Sequence, residues 1–477
     1  MKVLFVASEG LPFVKNSALA DMIGCLPKEL KKQGIDVRVM LPKYRDIPKK
    51  FKEKMTWKKS FTVPVAWRNQ LCDAEELIHD DIPYYFLDNN HYFNRKGLYG
   101  FDDDAERYTF FCYAALEALP HMDFKPDIIH CYDWQTGILS VLLKAHYMHY
   151  GYYEDIHTVF TVYNLKDQGI FIQEVLDDLL SLGKEYFTMD GIEFYGQVNY
   201  LKAGVMFSDI ITTVSKTYAE EIQDPAFGEK LDGVFRKRKE DLYGILNGID
   251  HTVYNPNSDP DIFINYQRSI KKKQQNKIKL QKLLGLPVTK EIPLISIMLP
   301  LISTKGLDLI CCCLEEMLSM NIQVVVLGKG DHEYESKLQT IAKQYDEKIS
   351  VNISFNESLA RKIYAGSDMF LMPALFDPYG TEQLIALRYG SIPIVIESGG
   401  LKDGIQPFDK NTGEGNGFSF TDCNVHHLIN TVKRAVDLFN QKEVWDKIVR
   451  NALKTNYSYR ECANQYADLY KSLLDRQ

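Results

Sequence analysis

Residues 366 to 401 read GSDMFLMPALFDPYGTEQLIALRYGSIPIVIESGGL. Met369 to Met372 is a short apolar run, of the kind that fills a strand buried on both faces. Pro373 to Gly380 breaks that pattern as a loop. Thr381 opens a segment with Leu384, Ile385 and Leu387 at helical spacing, closed by Gly390. Ile392 to Val395 is the next strand, and Gly399-Gly400 a turn. The order strand, loop, helix, strand predicts a parallel α/β unit. Ligands of such units bind at the carboxyl ends of the strands, beside the helix N-terminus. Asp377 then stands where a charged side chain meets a sugar. The free amides near Gly380 and Thr381 point where phosphates sit. An ordinary βαβ unit with a surface loop has the same pattern.

The same rhythm runs through the chain. Lys2 to Ala7 is a buried-type strand, followed by the loop SEGLPFVKNSAL, a helix from Leu19 to Gln33 and a strand from Asp36 to Leu41. Lys54 to Phe86 alternates in polarity, which predicts an insertion of paired strands. The segment DNNHYFNRKGLYGFDDDAERYTFF that follows is rich in aromatic and polar residues. It reads equally as a sugar-holding surface and as a packed loop. Further strands are expected at Asp127 to His130, Thr158 to Val162, Ile210 to Val214 and Tyr243 to Leu246, with a helix from Ile138 to Tyr147. After Asn255 comes a linker whose charge run KKKQQNKIKLQK reads as a solvated helix face. A second series has strands at Leu294 to Met298, Gln323 to Leu327, Ile349 to Ile353, Met369 to Met372 and Ile392 to Val395. A final helix, Ala463 to Leu474, is expected to pack back across the domain boundary.

The expected fold is therefore α/β, with two Rossmann-like domains facing each other across a deep cleft. Residues 1–250 form the first, 251–460 the second, and 461–477 the returning helix. Lys15, Asp133 and Asn164 gather in carboxyl-end loops of the first half, and Lys305, Asp377 and Glu382 in those of the second. Lys15 beside a helix start either meets an anion or is a solvated loop lysine.

Length and composition agree with this. The chain has 477 residues, too many for one core. A net charge of −8 argues against a nucleic-acid surface. No apolar run is long enough to span a membrane, and MKVLFVASEG is too short and strand-like for a signal peptide. Nine cysteines without framework spacing point to reduced thiols and a cytoplasmic location. Cys311-Cys312-Cys313 would point in different directions on a helix, so no metal site is expected.

Several pieces in chain order resemble the bacterial glycogen (starch) synthases, retaining glycosyltransferases of the two-Rossmann-domain, GT-B type. They are LADMIGCLPKEL, YYFLDNNHYFNRKGLYG, HCYDWQTG, QGIF, LKAGVMFSDIITTVSKTYAEEI, GILNGID, TKGLDLI and the stretch quoted first. The resemblance implies glucosyl transfer from ADP-glucose to the non-reducing end of an α-1,4-glucan, with retention at the anomeric carbon. It implies no cofactor and no metal. It assigns catalysis to Asp377, Lys305 and Tyr163. Substrate binding falls to Lys15, Ser17, Ala18, Asp133, Asn164, Asn247, Pro300, Tyr364, Tyr379, Gly380 and Thr381.

Some of these positions depart from the family's pattern. Ser17 and Ala18 stand where the phosphate loop has two glycines, Tyr163 where it has histidine, Pro300 where it has arginine, and Asp377 where it has glutamate. An arginine fork at a leaving phosphate is worth about 3 kcal/mol, or roughly two orders of magnitude in rate. A carboxylate one methylene shorter moves by about 1 Å. Two readings follow. One is a slow synthase, with another sugar nucleotide as the variant donor. The other is a non-catalytic relative that holds glucan or a partner synthase.

Overall fold

The computed structural model describes residues 1 to 476. They form two compact units. The first is Met1–Ile245 with the segment from Tyr459 onward, and the second is Leu246–Ser458. The division falls at Ile245 rather than at residue 250, and the chain leaves the second unit at Tyr459. Among the described residues no helix is long and apolar enough to cross a membrane.

A nine-stranded sheet forms the frame of the first unit. Its order is Leu242–Gly244, Ile210–Thr213, His157–Val162, Ile128–Tyr132, Lys2–Val6, Asp36–Pro42, Ile82–Asp88, Arg68–His79 and Thr56–Val65. The first seven are parallel. The central strands are buried almost throughout, as their continuous apolar runs demand. Thr56–Val65 and Arg68–His79 are an antiparallel hairpin, and Ile82–Asp88 pairs antiparallel with the latter. The expected paired strands are present, and they extend the main sheet at its edge. Their alternation buries one face, with Phe61, Val63 and Val65 inward, so they need a larger sheet to lie beside.

The helix expected from Ile138 begins at Trp134, directly after Asp133, and turns π-helical at Leu143–Tyr147. The C-terminal helix is Tyr459–Leu474 and belongs to the first unit. Tyr470 Oη lies 2.6 Å from His130 Nδ1. His130 Nε2 meets Thr161 Oγ1 at 2.6 Å, and Thr161 meets Thr212 at 2.5 Å. The helix's tyrosines thus bury their rings while their hydroxyls join a polar chain running through the sheet, which satisfies groups that burial would otherwise penalise.

Six parallel strands make the sheet of the second unit, in the order Ile349–Ile353, Gln323–Gly328, Leu294–Met298, Met369–Met372, Ile392–Ile396 and Phe418–Phe420. The lysine-rich run forms the helix Ile270–Leu284, but its charges are not all solvated. Lys273, Asn276, Lys277 and Gln281 are buried. Lys273 Nζ donates to the carbonyls of Tyr364 and Ala365 at 3.3 and 3.1 Å, in the last turn of the helix Glu357–Gly366. Lys277 Nζ pairs with Asp368 at 2.7 Å. The last carbonyls of a helix lack internal donors, and Lys273 supplies one here.

Candidate active site

In the first unit, carboxyl-end loops surround a pocket of about 530 Å³. Ser17, Asp133 and Asn164 line it, with Tyr99, Phe101, Trp134 and Phe171 as aromatic walls. Three predicted residues therefore come together. Asp104 and Asp167 add carboxylates, so the pocket is acidic and ring-lined. The aromatic-rich segment divides between its two readings. Tyr92 and Phe93 are buried in the core, while Tyr99, Gly100 and Phe101 face the pocket.

Asp133 sits between strand and helix with φ 55 and ψ −178, a conformation costly for a residue with a Cβ. Its Oδ1 accepts the amides of Tyr163 and Asn164 at 2.7 and 3.2 Å. Burial pushes its carboxyl up to about 7, against the pull of those two amides. The side chain thus ties two strand ends together. The ring of Tyr163 is buried beside this tie, 2% exposed, and is not among the residues lining the pocket.

Glu9 is absent from the sequence-derived set, yet it organises the loop that carries Lys15 and Ser17. Its buried carboxylate accepts the amides of Asn16 at 2.5 Å and Ser17 at 2.8 Å. It also accepts the hydroxyls of Ser17 at 2.7 Å and Tyr99 at 3.2 Å. The clue in the sequence was an acid directly after an apolar strand, a place with no solvent to hold it. Ser17 spends its hydroxyl on Glu9. Ala18 is right-handed, φ −67, so no glycine conformation is required there. Lys15 is half exposed and pairs with Asp21 at 2.7 Å. Gly169 was also missed. At φ +59 it lies against Trp134, where a Cβ would come within 2.5 Å of the indole.

The second unit holds the other group. Lys305 Nζ donates to Asp377 Oδ2 at 2.7 Å, and Asp377 Oδ1 accepts the amide of Gly380 at 2.9 Å. From sequence that amide is expected to be free for a phosphate; it is bound instead, because the short aspartate folds back onto its own loop. Burial lowers the Lys305 ammonium's proton affinity, but the Asp377 and Glu382 carboxylates more than offset it and hold the group above its usual range. The loop is fixed at both ends. The amides of Leu375 and Phe376 donate to Thr304 O. Gly399 and Gly400 let the backbone of Asp377 to Tyr379 approach closely, since a Cβ on Gly400 would lie 2.7 Å from Tyr379 C. Gly380, at φ +52, caps the helix Thr381–Arg388, and Tyr379 beside it is half-buried. Pro300 is exposed. Tyr364 is a core residue between the rings of Phe370 and Tyr389, and Asn247 is buried at the start of this unit.

Among the described residues no cluster of histidine, cysteine and carboxylate side chains is suited to a metal ion. Residues 2–237 match the starch synthase catalytic domain family, and residues 289–452 the glycosyl transferases group 1 family. The glycogen synthase of Desulforamulus reducens is 54% identical over 475 residues, covering 99% of both chains. The chain belongs to the glycogen synthase family. Another glycogen synthase, from Alkaliphilus metalliredigens, is 53% identical over 474 residues, covering 99% of this chain and 100% of that one. Among solved structures, the catalytic domain of starch synthase IV from Arabidopsis thaliana, bound to ADP and acarbose, superposes with a TM-score of 0.89. It is 30% identical, with 99% of each chain covered. The two α/β units are those of a GT-B glycosyltransferase. Membership of the glycogen synthases thus rests on nearly the full chain, including both loop sets just described.

Proposed function

We propose that this glycogen synthase relative transfers glucose from ADP-glucose to the non-reducing end of an α-1,4-glucan with retention, at a reduced rate. The observation that carries the reading is the Lys305–Asp377 pair, a charged ammonium held by a buried carboxylate beside a helix start. As the bond from the anomeric carbon to the diphosphate oxygen breaks, negative charge grows on that oxygen. Lys305 is placed to stabilise it, and a fixed cation costs no reorganisation. The acceptor hydroxyl passes its proton to the departing diphosphate oxygen as the new glycosidic bond forms, and ADP leaves. Asp377 holds Lys305 in position.

The pocket of the first unit suits the acceptor. Sugar rings are neutral, present apolar faces to Tyr99, Phe101, Trp134 and Phe171, and donate hydroxyls to Asp104, Asp133 and Asp167. The reduced rate rests on Pro300, which supplies neither charge nor donor where the family carries arginine. The likeness to a starch synthase solved with ADP supports the nucleotide. The test is incorporation of labelled glucose into glycogen from ADP-glucose and from UDP-glucose. Transfer from ADP-glucose well below an ordinary median of about 10 per second is expected. Preferential use of UDP-glucose would overturn the donor. Retention of glucan without any transfer would establish the non-catalytic reading instead.

A further inference from the structure

The strands Thr56–Val65 and Arg68–His79, at the edge of the first unit's sheet, are joined by the two-residue turn Ala66-Trp67. Ala66 takes φ 50, where such turns favour glycine. This turn brings two side chains onto one residue, Asp178. Trp67 Nε1 donates to Asp178 Oδ1 at 2.9 Å, Arg68 Nη2 to its Oδ2 at 2.9 Å, and Arg68 Nη1 to its carbonyl at 2.7 Å. The guanidinium lies 4.4 Å from the centre of the Trp67 ring, which shields one of its faces from water. Arg68 Nε lies 3.5 Å from Glu106 Oε1, the oxygen that also accepts the hydroxyl of buried Tyr92. Arg68 thus stands between two carboxylates from separate elements, with its side chain only 19% exposed. An ordinary surface ion pair contributes little, but a shielded planar fork with several fixed acceptors is held far more firmly.

We propose that Arg68 is a positioning residue for the acceptor, a clamp that keeps two walls of the pocket around Asp133 at a fixed spacing. One wall hangs on the helix of Glu106, Asp104–Ala118. Asp104 lines the pocket, and its Oδ2 accepts the amides of Gly100 and Phe101 at 2.8 and 3.1 Å. The other wall is Ile170–Phe171, from which the chain runs on into the helix Val175–Asp178. Pairing with Val198 holds Phe171 itself, and Arg68 holds the segment that follows it. With the guanidinium removed, Glu106 and Asp178 face each other as like charges, and their repulsion drives the two walls apart. A glucan chain then loses simultaneous contact with Phe101 and Phe171. The role rests on the proposed seating of α-1,4-glucan in that pocket.

The experiment is titration calorimetry of the full chain with maltoheptaose and, separately, with ADP. Arg68→Met keeps an apolar stem and removes the fork. It is expected to bind maltoheptaose about five- to tenfold more weakly, the size of one charge-assisted contact. Its affinity for ADP is expected to stay that of the unaltered protein, because Lys305 belongs to the second unit. Arg68→Lys, which keeps the charge without the planar fork, is expected to fall between. Adding Asp178→Asn to Arg68→Met removes the repulsion and is expected to recover part of the loss, which lost packing alone would not show. Unchanged maltoheptaose binding in Arg68→Met overturns the clamp while the acceptor reading stands. A parallel weakening of maltoheptaose and ADP, with a lower urea midpoint, also overturns it, since that reports a general loosening. If the unaltered protein binds no maltoheptaose, the acceptor reading fails and the role of Arg68 with it.

Discussion

Lys305 and Asp377 meet at 2.7 Å within the second unit, and the other oxygen of Asp377 is bound to the amide of Gly380. The carboxylate is therefore spent on its own loop and on one lysine. A glutamate reaches one methylene further, and an arginine at position 300 adds a second cation of fixed, planar shape.

Pro300→Arg combined with Asp377→Glu is expected to raise the rate of glucosyl transfer by about 100-fold, the effect of one preorganised charge contact. Each change alone is expected to do much less, because groups that act as a unit are not additive. Steady-state transfer from ADP-glucose to glycogen measures it. An unaltered rate in the double variant would show that neither position limits turnover.

Replacing Glu9 by glutamine keeps one carbonyl oxygen for the amides of Asn16 and Ser17 and turns an NH₂ toward the hydroxyls of Ser17 and Tyr99. The hydroxyls must then accept instead of donate and every bond loses its charged acceptor, at a cost of about 1–3 kcal/mol. Urea unfolding of Glu9→Gln should show that loss, and Ser17→Ala, which removes only one donor, a smaller one. Equal midpoints for Glu9→Gln and the unaltered protein would contradict the role given to Glu9.

Lys273 has a pH signature. Burial lowers its ammonium to about 7, against the raising effect of Asp368. The unfolded chain then binds the extra proton between about pH 7 and the ordinary lysine value of 10.5. Stability contributed by this site therefore rises with pH across that window and is lowest below it. Urea midpoints at pH 6.5, 7.5, 8.5 and 9.5 should climb in the unaltered protein and climb less in Lys273→Met. Parallel curves would place the titration elsewhere.

Asp133 works in the opposite direction. Its folded carboxyl is raised to about 7 from an ordinary 3.8 by burial. The folded chain holds the proton while the unfolded chain loses it, so stability falls as pH rises from about 4 to about 7 and then levels. Asp133→Asn should flatten that fall in urea midpoints taken from pH 4.5 to 7.5. An identical slope in both proteins would count against a protonated Asp133 in the folded state.

Period and punctuation were enough to read the elements. Val3 to Val6, Leu294–Met298 and Met369–Met372 are buried because their side chains are apolar, apart from Ser296, whose hydroxyl bonds to Ser367 and to the Met369 carbonyl. Gly285 ends its helix because glycine adopts the left-handed conformation freely, whereas Gly24 and Pro27 stand inside the helix Leu19–Lys32. Resemblance at HCYDWQTG and TKGLDLI then pointed to the loops that carry the site.

What the sequence could not decide was which polar groups meet. Side-chain partners come from distant parts of the chain, and only the folded backbone sets their distances. Thus KKKQQNKIKLQK has the composition of a solvated helix, yet Lys273 and Lys277 are buried because orphan carbonyls and Asp368 await them. His130 belongs to a family motif, yet it is held in the core by Tyr470, 340 residues away. Glu9 gave no signal beyond its position, and its role exists only because Asn16, Ser17 and Tyr99 converge on it. Local periodicity determines elements because it acts within a few residues. The meeting of charges is decided by tertiary structure because burial removes the water that would otherwise serve each group alone.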